Sequence, residues 1–257
     1  MGFVRNTFMP TIEQNLQRWD VDHNWPQKGD EWSKAWGDAQ AQWHWAIYPR
    51  IRGFLPTKVI LEIAPGFGRW SQFLKNQCER MMLIDLSPRC IEACKQRFSS
   101  DAHITCHVND GKSLMMVPDV AVDFVFSFDS LVHCEIDVIE SYLEQLAKKF
   151  TPNGVGFIHH SNFGECLRLS VGDESKVKNN HWRATSVCAE SFEHCCRKVG
   201  LQCVSQEIIN WGGSILNDCL SVFTRKDAIW IQPRKTLRNP AFMEEAAYIA
   251  RLAALSK

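Results

Sequence analysis

The sequence predicts an α/β fold built on one mostly parallel sheet. Five apolar runs typical of buried strands are separated by segments with helical or polar character. This alternation indicates successive strand–helix–strand units with right-handed crossovers. The last two predicted strands follow each other without a helix between them, which is typical of a hairpin. We therefore expect seven strands, with helices on both faces of the sheet.

Each predicted element has a local signal. The first strand runs into a Pro/Gly turn, Pro88 favours a helix beginning there, and Gly200 ends a later helix. The predicted strands are residues 59–64, 81–87, 104–110, 122–131, 155–162, 201–211 and 218–226. The predicted helices are residues 31–50, 69–77, 88–98, 140–150, 189–199 and 240–255.

Bulk composition narrows the function classes. Lys+Arg and Asp+Glu both number 29, so the formal net charge is zero, which argues against nucleic acid as a partner. No apolar run approaches the roughly 18–20 residues of a membrane helix, so we expect no membrane partner and a cytoplasmic location. The 11 cysteines contain no C-x-x-C pair, and we expect them to be reduced.

The chain divides into three predicted parts. Residues 1–56 form an N-terminal helical extension, residues 57–226 the main domain with an insertion at 163–188, and residues 227–257 a C-terminal helical extension. Helical spacing puts Trp36 and Trp43 on one face, as a lid or as ordinary packing. The C-terminal helix packs on the domain or mediates a homodimer.

Acidic and small residues stand at three successive predicted strand ends. Glu62, Gly66 and Gly68 belong to the first, where glycines allow a sharp turn and close approach to a ligand. Asp85 ends the second strand, where a carboxylate can accept both hydroxyls of a ribose. Asp110 ends the third, where an acid can accept from an adenine amino group. A helix cap or a turn is the alternative role for either aspartate.

These motifs resemble those of the class I S-adenosylmethionine (SAM)-dependent methyltransferases, in LEIAPGFGRW, IDLSP, VNDGKSL and FSFDSL. The resemblance implies a Rossmann-like sheet with an antiparallel seventh strand, SAM as cofactor and S-adenosylhomocysteine (SAH) as product. It also implies that Asp85 binds the ribose, and that Asp110 with Gly111 flanks the adenine. Ala64-Pro65 replaces the first glycine of the motif. The implied cofactor residues are Glu62, Ala64, Pro65, Gly66, Gly68, Trp36, Asp85, Leu86, Asp110, Gly111 and Phe128.

Candidate catalytic groups follow the fourth and fifth strands. Asp129 and His133 follow the fourth, and His159 and His160 end the fifth. A histidine suits a general base near neutral pH. Because successive strand residues face opposite sides, only one of His159 and His160 faces the acceptor pocket. We predict His160, which is nearer the carboxyl end. The alternative is that these histidines satisfy buried backbone groups.

Polar and aromatic residues further along the chain are predicted to bind the acceptor. Arg183 either clamps a carboxylate or phosphate or forms a salt bridge. The predicted substrate-binding residues are His159, Asn162, His181, Trp182, Arg183 and Trp211. Asp129 or Asp218 together with the histidines could bind a divalent metal ion. The spacing of these residues in the sequence does not support a metal site, so no metal ligand is assigned.

The segments IHHSN and HWRATSV are similar to those of bacterial sugar and natural-product tailoring methyltransferases. This similarity implies methylation of a hydroxyl on a polar small molecule. Two alternatives stay open, namely N-methylation of a small amine or a protein, and a SAM-binding protein without catalysis. The histidines at the acceptor site argue against the inactive protein.

Overall fold

The computed structural model describes residues 10–170 and 177–255. Their strands form one eight-stranded sheet in the order β3-β2-β1-β4-β5-β7-β6-β8. The strands are β1 (Thr57–Ile63), β2 (Cys78–Asp85), β3 (Ile104–Val108), β4 (Val122–Ser127), β5 (Phe150–Ser161), β6 (Leu201–Ile209), β7 (Asp218–Arg225) and β8 (Lys235–Asn239). The predicted α/β class is confirmed.

Strand direction follows the prediction as well. β1 to β5 pair in parallel, and β7 runs antiparallel to both β5 and β6. β8 was not predicted, because the sequence indicated only a helical extension after β7. It pairs in parallel with β6 at the sheet edge, and its side chains are almost all exposed. An exposed edge strand needs no apolar alternation, so KTLRN carried no strand signal.

Helices cover both faces of the sheet. The α-helices are α1 (Ile12–Leu16), α2 (Ala39–Gln42), α3 (Tyr48–Ile51), α4 (Ser71–Leu74), α5 (Pro88–Arg97), α6 (Ile136–Lys149), α7 (Phe163–Leu169), α8 (Ala189–Lys198) and α9 (Phe242–Leu255). Helices α6 and α8 bury their apolar residues in the core on one face. The N-terminal segments and α9 pack into the core on the other face. No described helix is long and apolar enough to cross a membrane.

The predicted continuous helix over residues 31–50 is wrong. Gly37 adopts a φ of +97°, and it separates a 3₁₀ helix (Asp30–Trp36) from α2. The Asp38 side chain then caps α2 by accepting from the Ala41 N–H at 2.8 Å. Helical spacing therefore does not place Trp36 and Trp43 on one face, since the chain turns between them.

One turn was also misplaced. The residues Thr-Pro-Asn-Gly at 151–154, predicted to end the preceding helix as a turn, are the first part of β5. The strand pairs with β4 at Phe150, before this segment, and again from Val155 onwards, with a shift of register between. Such an irregularity accommodates Pro152 and Gly154 in a strand that their residue types disfavour.

Candidate active site

A cavity of about 420 Å³ opens at the carboxyl ends of β1, β2 and β4. This is the edge of an open α/β sheet at which ligands bind. Two segments complete its walls, the N-terminal cover (residues 10–32) and the flap (residues 177–186). Its lining includes Ile12, Asn15, Trp19, Trp25, Trp32, Ala64, Pro65, Gly66, Arg69, Asp85, Leu86, Gly111, Phe128, Asp129, His133, Val138, Tyr142, His181, Trp182, Arg183 and Trp211.

The loop after β1 forms one wall. Ala64 and Gly66 both have a φ of +58°, so an alanine holds the left-handed conformation that favours glycine. The ring of Trp25 stacks on Phe67 with centroids 4.7 Å apart. A Cβ on Gly66 would lie 2.8 Å from Trp25, so this close packing requires glycine. Gly68 does not line the cavity; a Cβ there would lie 2.7 Å from Phe98.

Two acidic groups flank this loop in different ways. Asp85 lines the cavity, and its carboxylate accepts from the N–H groups of Gly66 at 3.0 Å and Ser87 at 2.8 Å. Burial raises the pKa of Asp85 to about 6. Glu62 is 1% exposed and lies outside the lining, where it accepts from the Ser71 hydroxyl at 2.6 Å. Burial raises the pKa of Glu62 to about 8, so it is protonated at neutral pH.

Asp110 does not line the cavity. Its exposed carboxylate accepts from the N–H groups of Lys112 and Ser113, at 3.1 and 2.7 Å. The prediction of a ligand contact is therefore corrected to the turn role that was its alternative. Gly111 does line the cavity, and a Cβ there would lie 2.9 Å from Ile12 of the cover. Gly111 and Leu86 share this end with apolar and aromatic neighbours, namely Ile12, Val138 and Tyr142.

Trp36 also lies outside the cavity. It is 1% exposed and packs between Trp211 and Phe242, with ring centroids 5.1 and 5.9 Å away. The cover is instead formed by earlier tryptophans, Trp19, Trp25 and Trp32, which sequence reasoning did not assign. Their concentration in the first part of the chain was the available signal.

Hydrogen bonds attach the cover to the main domain. The Asn15 amide donates to the carbonyl oxygen of His133 at 2.9 Å. The Asp20 carboxylate accepts from the Ser87 hydroxyl at 2.6 Å and from the Arg89 N–H at 3.0 Å. These bonds link the cover to the segments that follow β2 and β4, so the cover takes part in the site rather than packing beside it.

The predicted base His160 faces away from the cavity. Its ring is fully buried and stacks on Phe192 of α8 at 4.2 Å. Its Nδ1–H donates to the Ser161 carbonyl, and its Nε2 accepts from the Ser221 hydroxyl, both at 2.8 Å. Burial lowers the pKa of His160 to about 4. Nearness to the strand end did not decide which face the side chain takes; the pleat and the helix packing did.

His159 takes the opposite face, behind the cavity wall. Its ring lies 4.7 Å from Phe128 and 5.1 Å from Trp211, both of which line the cavity. Its Nδ1 accepts from the Asp129 N–H at 3.2 Å, and its Nε2–H donates to Asp218 at 3.0 Å. Both ring nitrogens are therefore engaged within the protein, and neither is free to take a proton from a substrate.

Of the three histidines that follow β4 or end β5, His133 is the one that lines the cavity. Its Nδ1–H donates to the Trp182 carbonyl at 2.8 Å, which fixes the tautomer and leaves a lone pair on Nε2. Burial, reinforced by the Arg183 guanidinium, lowers the pKa of His133 to about 4. The indole of Trp19 lies 5.4 Å from its ring on one side, and that of Trp182 lies 5.5 Å away.

Arg183 is held by a buried ion pair. Its guanidinium donates twice to Asp218, at 2.8 and 2.7 Å, with side-chain exposures of 3% and 0%. Although burial alone would raise it, Arg183 and the His159 hydrogen bond lower the pKa of Asp218 to about 2. Arg183 lines the cavity, but of the two predicted roles the structure shows the salt bridge, in buried form.

The remaining acceptor candidates separate clearly. Three of the residues predicted to bind the acceptor line the cavity, namely His181, Trp182 and Trp211. Asn162 does not, because its fully buried amide donates to Glu165 and the Leu216 carbonyl and accepts from the Ala189 N–H. It fixes the start of α7 and α8 instead. The part of the 163–188 insertion at 171–176 lies outside the described residues.

Asp129 is paired with an arginine that the sequence did not indicate. The Arg69 guanidinium donates to its carboxylate at 2.9 Å and lies 4.5 Å from the Trp70 ring. Asp129 itself has a φ of +63°. Strained backbone concentrates here, since four of the six described non-glycine residues with positive φ line the cavity: Trp25, Ala64, Asp129 and Trp182. Such strain clusters at functional sites.

The described residues contain no group of three or more His, Cys, Asp or Glu side chains placed to hold a metal ion. The imidazoles and carboxylates that the sequence suggested as metal ligands are instead bonded to other side chains of the protein. His159 bonds Asp218, and Asp129 bonds Arg69.

Comparison with known proteins adds to this geometry. Residues 60–154 match a family model described as "Methyltransferase domain". A wheat protein, phosphoethanolamine N-methyltransferase 1, is 26% identical over 153 residues. That match covers 57% of this chain and spans 30% of the wheat protein's length.

Solved structures share the fold at low identity. The N-methyltransferase NodS from Bradyrhizobium japonicum, in complex with SAH, has a TM-score of 0.56 and 17% identity, covering 84% of this chain and 98% of NodS. A SAM-dependent methyltransferase from Clostridium acetobutylicum has a TM-score of 0.58 and 13% identity, covering 76% and 95%. Residues 60–154 are therefore similar to a methyltransferase domain, and the chain shares the fold of these solved methyltransferases.

Proposed function

We propose that this protein transfers the methyl group of SAM to a hydroxyl of a polar small molecule, with His133 as the proton acceptor. The observation that carries the proposal is the hydrogen bonding of the His133 imidazole. Its Nδ1–H is held by the Trp182 carbonyl, so the Nε2 lone pair is the free one in a side chain that lines the cavity.

The cavity suits SAM in both shape and chemistry. We assign the amino-acid part to the wall at Ala64–Gly66, the ribose to Asp85, and the adenine to the apolar end at Leu86 and Gly111. Glycines at 66 and 111 leave room that the cover then closes through Trp25 and Ile12. When bound, SAM supplies an activated methyl on a sulfonium, so the protein has to align the nucleophile and exclude water.

A histidine of low pKa is adequate for this reaction. At neutral pH His133 is uncharged and can accept a hydrogen bond from the acceptor hydroxyl, which orients the oxygen. As the oxygen bonds to the methyl carbon, its proton becomes far more acidic than an imidazolium, and it passes to Nε2. The oxygen gains the methyl group as the bond from that carbon to the sulfonium sulfur breaks, which leaves SAH, and the proton of the hydroxyl finally reaches solvent.

The Arg183–Asp218 pair supports this role of His133 indirectly, through Trp182. Trp182, whose carbonyl holds His133, is the neighbour of Arg183, which is fixed to Asp218 by two hydrogen bonds. Asp218 also holds His159, so one buried carboxylate connects the flap to β5. Arg183 and Asp218 are thus positioning residues, since their contacts act through Trp182.

A second candidate is N-methylation of a small amine. Two observations favour it, the indoles of Trp19 and Trp182 beside His133 and the similarity to a wheat N-methyltransferase. Aromatic faces attract substituted ammonium groups. An amine acceptor reacts through its own lone pair after losing a proton to solvent, so it has less need of His133.

The two candidates are separated by where the methyl group lands. The protein is incubated with [¹³C-methyl]SAM and matched acceptors, namely glucose, glucosamine, ethanolamine and phosphoethanolamine, with extracts of hydroxylated metabolites as a wider set. We expect a ¹³C signal in the O-methyl region of the NMR spectrum. A signal found only in the N-methyl region would contradict the hydroxyl proposal and support the amine.

A further inference from the structure

A second cavity of about 240 Å³ lies beside the first, between the flap and the loop that joins β6 to β7. The two cavities share Asn180, His181 and Trp211 in their linings. These three residues border both cavities, and we name the second cavity the side chamber.

The small volume of the first cavity suggests what the side chamber is for. Cavities of about 300–1,000 Å³ are typical for one drug-sized ligand, so SAM takes most of the 420 Å³ of the first cavity. Little of the first cavity then remains for an acceptor beyond the group that reacts. The rest of any acceptor larger than this group must lie outside the first cavity, and the side chamber adjoins it.

The side chains of the chamber are free to bind. Lys178, Asn180, His181 and Ser214 make no side-chain hydrogen bond or ion pair with any residue that the structure describes. In the first cavity, by contrast, Asp129 is already paired within the protein. None of the described lining residues of the chamber is acidic, and Lys178 carries the full positive charge among them.

The chamber has a defined wall. The Asn217 amide accepts from the Trp211 N–H at 2.7 Å and donates to the Trp211 carbonyl at 3.1 Å, which fixes the β6–β7 loop. Gly212 has a φ of +70°, and a Cβ on it would lie 2.1 Å from Nε2 of His181. The left-handed backbone at this position favours glycine, and the His181 ring packs directly against it.

We propose that the side chamber binds an oxyanion of the acceptor, a phosphate or carboxylate, at a distance from the methylated group. Lys178 supplies the opposite charge, and Asn180 and Ser214 supply hydrogen-bond donors. The proposal rests on the proposed function in one respect, that the acceptor reacts in the first cavity. It adds that the acceptor is a two-part molecule with a negatively charged end.

The test is an amide ¹H–¹⁵N NMR titration of the SAH-saturated protein with inorganic phosphate and, separately, with acetate. We expect shifts at Gly212, Gly213 and Ser214, with a dissociation constant that rises about fivefold in Lys178→Gln, the effect of one charge near a surface. The matched control is Lys235→Gln, an exposed lysine on β8. Shifts with phosphate alone assign a phosphate group, and shifts with both assign oxyanions in general.

The absence of shifts with either anion would overturn the proposal, as would equal affinities in Lys178→Gln and Lys235→Gln. Retained binding of SAH by both variants shows that each is folded. The outcome is separate from the proposed function. If His133 proves dispensable for methyl transfer, the phosphate titration still stands, and if phosphate fails to bind, the role of His133 is untouched.

Discussion

The cofactor half and the acceptor half of the cavity are built in different ways. In the half that we assign to the cofactor, Ala64, Gly66 and Asp85 lie within one strand–helix–strand unit, and left-handed backbone at Ala64 and Gly66 shapes the loop. In the acceptor half, His133 depends on Trp182, which lies 49 positions further along the chain. Local sequence therefore specifies the first half, and contacts between distant segments specify the second.

This difference suggests which half of the cavity is more sensitive to substitution. A loop after a parallel strand keeps its shape when surface residues change, since backbone N–H groups and glycines make it. The acceptor half instead depends on side chains held by other side chains, with Asp218 bonded to both Arg183 and His159. A change in one member alters the others.

The largest expected effect tests the acceptor half directly. Replacing His133 by alanine removes the Nε2 lone pair, so we expect kcat/KM for the best acceptor to fall by about 10²–10⁴-fold. SAH affinity, measured by titration calorimetry, should change little. The control is His160→Gln, which should retain turnover in the fraction that folds. Equal turnover in His133→Ala and the wild-type protein would exclude His133 as the base.

The next effect measures how far the acceptor half depends on its ion pair. Asp218→Ala leaves the buried Arg183 without a partner, so the free energy of unfolding should fall by about 3–5 kcal/mol in urea titration. Asp227→Ala, at an exposed pair with Arg225, should change the free energy of unfolding little. A loss in Asp218→Ala as small as that of the control would show that the buried pair is not needed for folding.

The dependence of stability on acidic pH tests the same ion pair. The pKa of Asp218 is lowered to about 2, so the stability that its ionisation contributes is fully present above its ordinary pKa. That contribution is lost as the pH falls through about 2. Unfolding followed by circular dichroism against pH should show this loss in the wild-type protein and not in Asp218→Asn.

In the cofactor half, pH acts through Asp85. Burial raises its pKa to about 6. An ionised carboxylate accepts hydrogen bonds from ribose hydroxyls, which is the role we propose for Asp85. SAH affinity should therefore be constant above pH 7 and fall up to about tenfold per pH unit below 6. Calorimetry from pH 5 to 8 measures this, with Asp85→Asn expected to bind more weakly and without the pH dependence. An affinity of the wild-type protein that stays flat to pH 5 would contradict this role for Asp85.

The smallest effect concerns the backbone of the first loop. Ala64 holds a φ of +58°, which costs an alanine about 1 kcal/mol relative to glycine. Ala64→Gly should relieve that strain, partly offset by the greater freedom of glycine in the unfolded chain. We expect thermal unfolding to shift by no more than a few degrees, with SAH affinity unchanged. A strongly destabilised variant would mean that the methyl group of Ala64 packs usefully.

Sequence reasoning succeeded where a signal was local. The strand ends at Ala64–Gly66 and at Asp85 lie on the cavity, because an apolar run followed by a turn fixes which residues stand at the sheet edge. It failed at Asp110 and at His160, where the residue stands at a strand end but its side chain turns elsewhere. It also assigned Trp36 rather than Trp25 to the cover, because Gly37 ends the helix that the spacing predicted.

The sequence by itself determined the α/β class, the antiparallel seventh strand and the position of the loop after β1 at the cavity. These follow from hydrophobic periodicity and from glycines, whose effects extend over a few residues. Only the tertiary structure decided which of the histidines at the ends of β4 and β5 lines the cavity. A side chain's direction depends on strand pleat and on what packs against it, and Phe192 holds His160 away while Trp182 holds His133 in place. Those partners are far away in the chain, so no local pattern records them.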